Sequence, residues 1–241
     1  MGLAIARRLA KDGTTVFVGT RRAGDTEHVS DVLGTESVHI HAIALDVQSR
    51  DSVDAFVAEV VAQRGGVDIL VNAAGVYDEA AIIDHPEEIW EDQIDINLSG
   101  TFRMIRAVMP HMTQAGWGRI INIASVAAHN GMANNAAYCA SKAGLLGLGR
   151  CVSLEGAAHG VTCVSISPTW VETEMLRRFI KADMQATGQT LEQVRAEYAK
   201  SNPQGQLVQP TEVAELAAFL VSDAARALTM ADYQINSGSL W

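Results

Sequence analysis

The chain has 241 residues, 48% hydrophobic, 19% charged and 5% aromatic, which is enough for one large α/β domain; a mean hydropathy of +0.10 with no long apolar run excludes the membrane-spanning class. Its 28 acidic against 18 basic residues give a net charge of −10, which argues against an electrostatic grip on nucleic acid or anionic lipid and leaves small molecules as expected partners. Cys139, Cys151 and Cys163 form no CxxC pair, so neither a disulfide framework nor structural zinc is expected, and a reducing cytoplasm suits the composition.

Met1 to Ala10 already carry helical spacing, with Leu3, Ala6 and Ala10 on one side and Arg7, Arg8 and Lys11 on others, so the chain opens inside a helix that ends at Asp12-Gly13. The charge pattern there is not that of a signal peptide. Thr14 to Thr20 is a short β-branched run of the kind buried in parallel sheets, and Val38 to Leu45 is a second strand ending at Asp46. Asp51 to Arg64 places Val53, Phe56, Val57 and Val60 at helical spacing, and Val67 to Asn72 is the next strand. A long helix is expected from Pro86 to Gly116, then a strand from Arg119 to Ala124, a helix from Ala136 to Ala158 and a strand from Val161 to Ser167. A polar helical insertion at Glu172 to Lys200, a helix at Pro210 to Asp223 and a short strand at Asp232 to Asn236 complete the chain. This alternation predicts a doubly wound parallel sheet in one α/β domain spanning residues 1–241.

In such sheets ligands bind beyond the carboxyl ends of the strands, where Asp46, the run Asn72-Ala73-Ala74-Gly75, Ser125 and Pro168 all fall. Taken singly, each also suits ordinary turn or cap chemistry. Tyr138 and Lys142 stand four residues apart and share one helix face. A free phenol titrates near ~10; an adjacent ammonium favours the phenolate and is expected to bring it down, making Tyr138 a usable proton donor. Ser125 can hydrogen-bond a carbonyl oxygen that gains negative charge.

This ordered set resembles the short-chain dehydrogenase/reductase family, with its NNAG motif as Asn72 to Gly75, its helix asparagine as Asn97, its strand-end serine as Ser125 and its YxxxK as Tyr138 to Lys142. Within the family the chain is most similar to ketoreductases of fatty-acid and polyketide type, with some likeness to 3-hydroxybutyrate dehydrogenases around Gly188 to Pro210. The resemblance implies a Rossmann-like fold and a tetrad in which Tyr138 is the general acid or base, Lys142 lowers its pKa and binds the nicotinamide ribose, Ser125 polarises the carbonyl and Asn97 anchors a water. It also implies Asp46 and Val47 beside adenine, Asn72, Ala73, Ala74 and Gly75 along the adenosine, Gly2 at the pyrophosphate, and Pro168, Val171 and Thr173 beside the nicotinamide. The chain departs from the family at Ala73, at Pro168-Thr169 in place of Pro-Gly, and at Asn236 to Ser239.

NADP(H) is favoured over NAD(H), because Arg21 and Arg22 stand where an acidic residue would bind ribose hydroxyls and Asp25 comes several positions later. The expected reaction is hydride transfer between NADP(H) and a ketone, 3-oxoacyl group or secondary alcohol; the alternative enzyme is an NAD-dependent 3-hydroxy acid or alcohol dehydrogenase. Residues 172–202 resemble the family's substrate lid, and Arg177, Arg178 and Lys181 there suit either a carrier phosphate or, more simply, solvent. Tyr77, His129, Asn130, Met132, Trp170, Met175 and Met184 are expected near the pocket, and no metal site is expected. The resemblance further implies a homotetramer or homodimer, although packing inside the monomer explains the small residues of Ala140 to Gly149 equally well. The family opens with a strand and a TGxxxGxG loop, of which Gly2 is the one expected remnant. A different-class alternative is therefore a truncated, non-catalytic protein lacking about 15 residues of central strand and phosphate loop.

Overall fold

A computed structural model describes residues 1–21 and 39–239. Helix α1, Gly2–Lys11, buries Ile5, Ala6, Leu9 and Ala10, a stripe one step round from the expected one, and stops where Gly13 takes a left-handed φ of 87°. Strands β1, Val16–Thr20, and β2, Ile40–Ala44, pair in parallel with Val18 opposite Ala42. Helix α2, Arg50–Arg64, is capped by Ser49, whose hydroxyl accepts the Ser52 amide at 3.2 Å, and ends on left-handed Gly65. After β3, Ile69–Asn72, come α3, Glu87–Ile94, and α4, Gly100–Ala115, then β4, Gly118–Ile123, α5, Ala136–Gly156, and β5, Val161–Pro168. The insertion is α6, Glu174–Thr187, and α7, Leu191–Lys200; α8, Pro210–Val221, and β6, Asp232–Ile235, follow.

Strands β3, β4, β5 and β6 form one parallel sheet in that order, with Leu70 opposite Ile120 and Ile120 opposite Cys163. Both β4 and β5 are buried along their full length, which is why they read as unbroken apolar runs. Alternate side chains serve opposite faces. Ile120 and Cys163 join α2, α4 and α5 in one core, while Ile121, Ile123, Val164 and Ile166 meet α1 and α8 in the other. The fold is thus the three-layer α/β architecture expected.

Two local expectations need correction. The helix expected from Pro86 to Gly116 is interrupted by a π turn at Asp95–Ser99, so α3 and α4 are joined but out of α register. The sheet is also not continuous: β1 and β2 form a separate two-stranded sheet. Between β1 and β3 lies a slot of about 1060 Å³ lined by Val16, Val18, Ile69, Val71, Met104 and Val108, and no described strand occupies it. This is where the resemblance places its central first strand. Helix α1 spans the slot by packing on α8, with the Arg8 guanidinium 2.7 Å from the Glu215 carboxylate.

Candidate active site

The site is assembled at the carboxyl edge of the four-stranded sheet. Ser125 follows β4 in extended conformation and caps a 3₁₀ turn, Val126–Ala128, its hydroxyl accepting the Ala127 amide at 3.2 Å. The same hydroxyl faces the Tyr138 phenol and favours its ionised form. One turn further along α5, the Lys142 ammonium lies 5.7 Å from the Tyr138 ring centroid and donates to the Ile123 carbonyl at 2.8 Å. Sheet end, turn and helix face therefore converge on three side chains.

The electrostatics differ from the sequence expectation. Burial pushes the Tyr138 phenol up to about 12, opposed by the Ser125 hydroxyl, while burial brings the Lys142 ammonium down to about 8. Desolvation is the largest influence on each group, and the Lys142 ammonium is at the same time engaged by the Ile123 carbonyl. Tyr138 consequently sits here as a neutral proton donor.

Asn97 lies in the middle of the π turn and is fully buried. Its Oδ1 accepts the Val76 amide at 2.8 Å, and its Nδ2 donates to the Val76 carbonyl at 3.0 Å and to Ser141 Oγ at 3.1 Å. Thr101 Oγ1 donates to the Asn97 carbonyl at 3.1 Å. Asn97 thus joins the loop after β3 to α5, beside Lys142. Gly75 fills the space between them: a Cβ there would lie 3.3 Å from Asn97 Oδ1 and 3.5 Å from Lys142 Nζ.

The remaining sequence-predicted residues fall along the same edge. Asn72 Nδ2 donates to the buried Asn122 Oδ1 at 2.9 Å, so its side chain is bound inside the sheet. Gly2 approaches Ala73 closely enough that a Cβ would stand 3.2 Å from the Ala73 Cβ, and α1 begins there without a side-chain cap. Asp46 is held in a turn by the Gln48 amide at 3.0 Å, and Val47 packs on Gly100 where no Cβ fits. Arg21 is exposed just past β1; Arg22 and Asp25 lie outside the described residues. Gly2 thus adjoins Ala73, and Gly75 adjoins Asn97 and Lys142.

Pro168 ends β5, Val171 is buried, and Thr173 caps α6. Thr169, where glycine was the family expectation, donates its hydroxyl to Asn202 Oδ1 at 2.9 Å, and Ser239 Oγ bonds the same oxygen at 3.2 Å, so the departures at 169 and 239 answer each other. Arg177, Arg178 and Lys181 are exposed, with Arg177 3.7 Å from Glu174, as the solvated-face reading has it. Of the small residues of α5, Gly144 packs within the chain, since a Cβ there would strike Leu98, whereas a Cβ at Gly147 would meet nothing within 4 Å.

Sequence reasoning missed two features. Tyr77 meets Tyr138 edge-on at 4.7 Å between centroids, and Phe179 of α6 meets Tyr77 at 4.6 Å, so an aromatic stack runs from the insertion onto Tyr138. Phe179 was findable from its spacing to the buried Leu176 and Ile180. His129, Asp232 and Ser167 also meet, with no local sequence signal to predict it. Among the described residues no cluster of three metal-ligating side chains occurs and no helix is long and apolar enough to cross a membrane.

Fold and site together define a doubly wound α/β protein with serine, tyrosine and lysine gathered at the carboxyl edge of its sheet. The chain belongs to the short-chain dehydrogenase/reductase family: residues 1–239 match the family described as enoyl-(acyl carrier protein) reductase. It is 35% identical to the D-β-hydroxybutyrate dehydrogenase of Cupriavidus necator over 239 residues, 99% of this chain and 93% of that protein. It is also 35% identical to the 3-oxoacyl-(acyl-carrier-protein) reductase of Vibrio cholerae over 238 residues, 99% and 92% of the two chains. A single-substitution variant of the actinorhodin polyketide ketoreductase, solved with NADPH, superposes with a TM-score of 0.93 at 36% identity over 98% of this chain and 92% of that one.

Proposed function

We propose that the protein transfers hydride between NADP(H) and a ketone or 3-oxoacyl group. The observation that carries this reading is the meeting of Ser125, Tyr138 and Lys142, with a phenol that burial keeps protonated. When bound, the nicotinamide supplies the hydride, and everything else falls to the protein. Ser125 donates a hydrogen bond to the substrate oxygen, Tyr138 gives it the phenolic proton, Lys142 ties the tyrosine helix to the end of β4, and Asn97 ties it to the loop after β3. Lys142 in this reading also binds the ribose, with Gly2, Arg21, Asp46, Val47, Asn72, Ala73, Ala74, Gly75, Pro168, Val171 and Thr173 along the cofactor. Residues 172–202 act as the substrate lid. The NADPH-bound ketoreductase neighbour supports the cofactor choice.

Turnover of NADPH with a ketone panel tests the reading. Tyr138→Phe should lower kcat by about 10²–10⁴-fold while leaving NADPH affinity within a few fold; unchanged turnover would sink it. Likeness to a D-β-hydroxybutyrate dehydrogenase favours a second reading, NAD-dependent oxidation of a 3-hydroxy acid, and Arg21→Ala separates the two by weakening NADP selectively. We further propose a cytoplasmic homo-oligomer, with exposed Phe102 and Leu154 as contact residues; sedimentation of the purified protein decides this.

A further inference from the structure

We propose that Asp232 is a positioning residue that clamps the Ser125 turn to the end of β5, and so fixes the Ser125 hydroxyl relative to Tyr138; the proposal rests on the reading of the site given above. Asp232 opens β6, and its side chain is only 14% exposed. Both carboxylate oxygens are taken: Ser167 Oγ, fully buried, donates to Oδ1 at 2.6 Å, and His129 Nε2 stands 2.8 Å from Oδ2. An acceptor-only partner fixes the imidazole tautomer with its proton on Nε2. A carboxylate so placed loses hydration that only such bonds restore. The three residues are distant in sequence, by 103 positions from His129 and 65 from Ser167.

The two partners of Asp232 lie at the ends of different elements. Ser167 immediately precedes Pro168, and His129 closes the turn that Ser125 starts. That turn is a rigid unit: Ala128 N donates to the Ser125 carbonyl at 2.9 Å, His129 N to the Val126 carbonyl at 3.0 Å, and Ala127 N to Ser125 Oγ at 3.2 Å. Its leading end is fixed by Ala124 N donating to the Ile166 carbonyl at 2.8 Å. Asp232 fixes its trailing end to the same strand, one residue further on. Ser125 is thereby held from both sides against β5. Arg150 shares a small cavity with Asp232 and makes no ion pair with it within 4 Å among the described residues.

His129→Ala and Asp232→Ala test the clamp, alongside His129→Gln, whose side-chain amide can donate to the same carboxylate. His129→Ala should lower kcat for ketone reduction about 10- to 100-fold, the scale of effect a small misplacement produces, with KM for NADPH within about twofold. His129→Gln should restore most of kcat. Amide hydrogen exchange at Ala127 to His129 should quicken in both alanine variants, whether or not substrate is turned over. Unchanged exchange in His129→Ala overturns the clamp even if no ketone is reduced by the parent protein, an outcome that would separately refute the functional reading. Unchanged kcat in an active protein, or failure of glutamine to restore it, also overturns the proposal.

Discussion

Tyr138 and Lys142 are legible in the sequence as a spacing, but their protonation is not, because it depends on how much water the fold removes from them. With the phenol at about 12, Tyr138 remains protonated at neutral pH and is ready for reduction, whereas alcohol oxidation needs the phenolate. The oxidative rate should therefore rise about tenfold per pH unit through the neutral range while reduction stays flat there. Reduction should then decline as pH passes about 8 and Lys142 loses its charge. Steady-state pH–rate profiles in both directions check this, and an oxidative rate independent of pH would contradict it. Gly75 was readable only as a motif letter; in the structure a Cβ there would press on Asn97 Oδ1 at 3.3 Å and touch Lys142 Nζ at 3.5 Å. Gly75→Ala should cost about 1–3 kcal/mol by crowding Asn97 and Lys142, and should depress kcat more than it depresses the unfolding midpoint in urea.

Among the elements, helices α2, α5 and α8 and strands β4 and β5 could be placed from apolar period and caps, because each buries one consistent face or is buried throughout. The π turn between α3 and α4 could not, since one added residue in the ladder leaves the local apolar pattern nearly intact. Yet that turn carries Asn97 into the loop after β3. The insertion of α6 and α7 was legible as amphipathic without its target. Phe179 reaches Tyr77, and an aromatic pair of this kind contributes about 0.5–1.5 kcal/mol. Phe179→Ala should raise KM for the ketone about fivefold, which corresponds to about 1 kcal/mol, with little change in kcat. A steady-state comparison reads it directly, and an unaltered KM would show that the lid does not close through this contact.

At the scale of the whole molecule, the alternation of strands and helices was readable, and the gap between the two sheets was inferred only from resemblance. Within the described residues β1 has β2 as its strand partner and β3 has β4, so each pair has one flank toward the slot. Backbone amides of Val16 to Val18 and of Ile69 to Val71 should therefore exchange faster than those of β4 and β5, as mass-resolved hydrogen exchange would reveal. Equal protection across both sheets would contradict this. The chief link across the slot is helical, through α1 on α8 and the Arg8–Glu215 pair. The slot also bears on how the protein behaves in a tube. In a polypeptide of these 241 residues alone, apolar side chains flanked by strand edges are a template for extended chains of any origin, so self-association by strand insertion should grow with concentration and be visible as light scattering before any loss of helical signal.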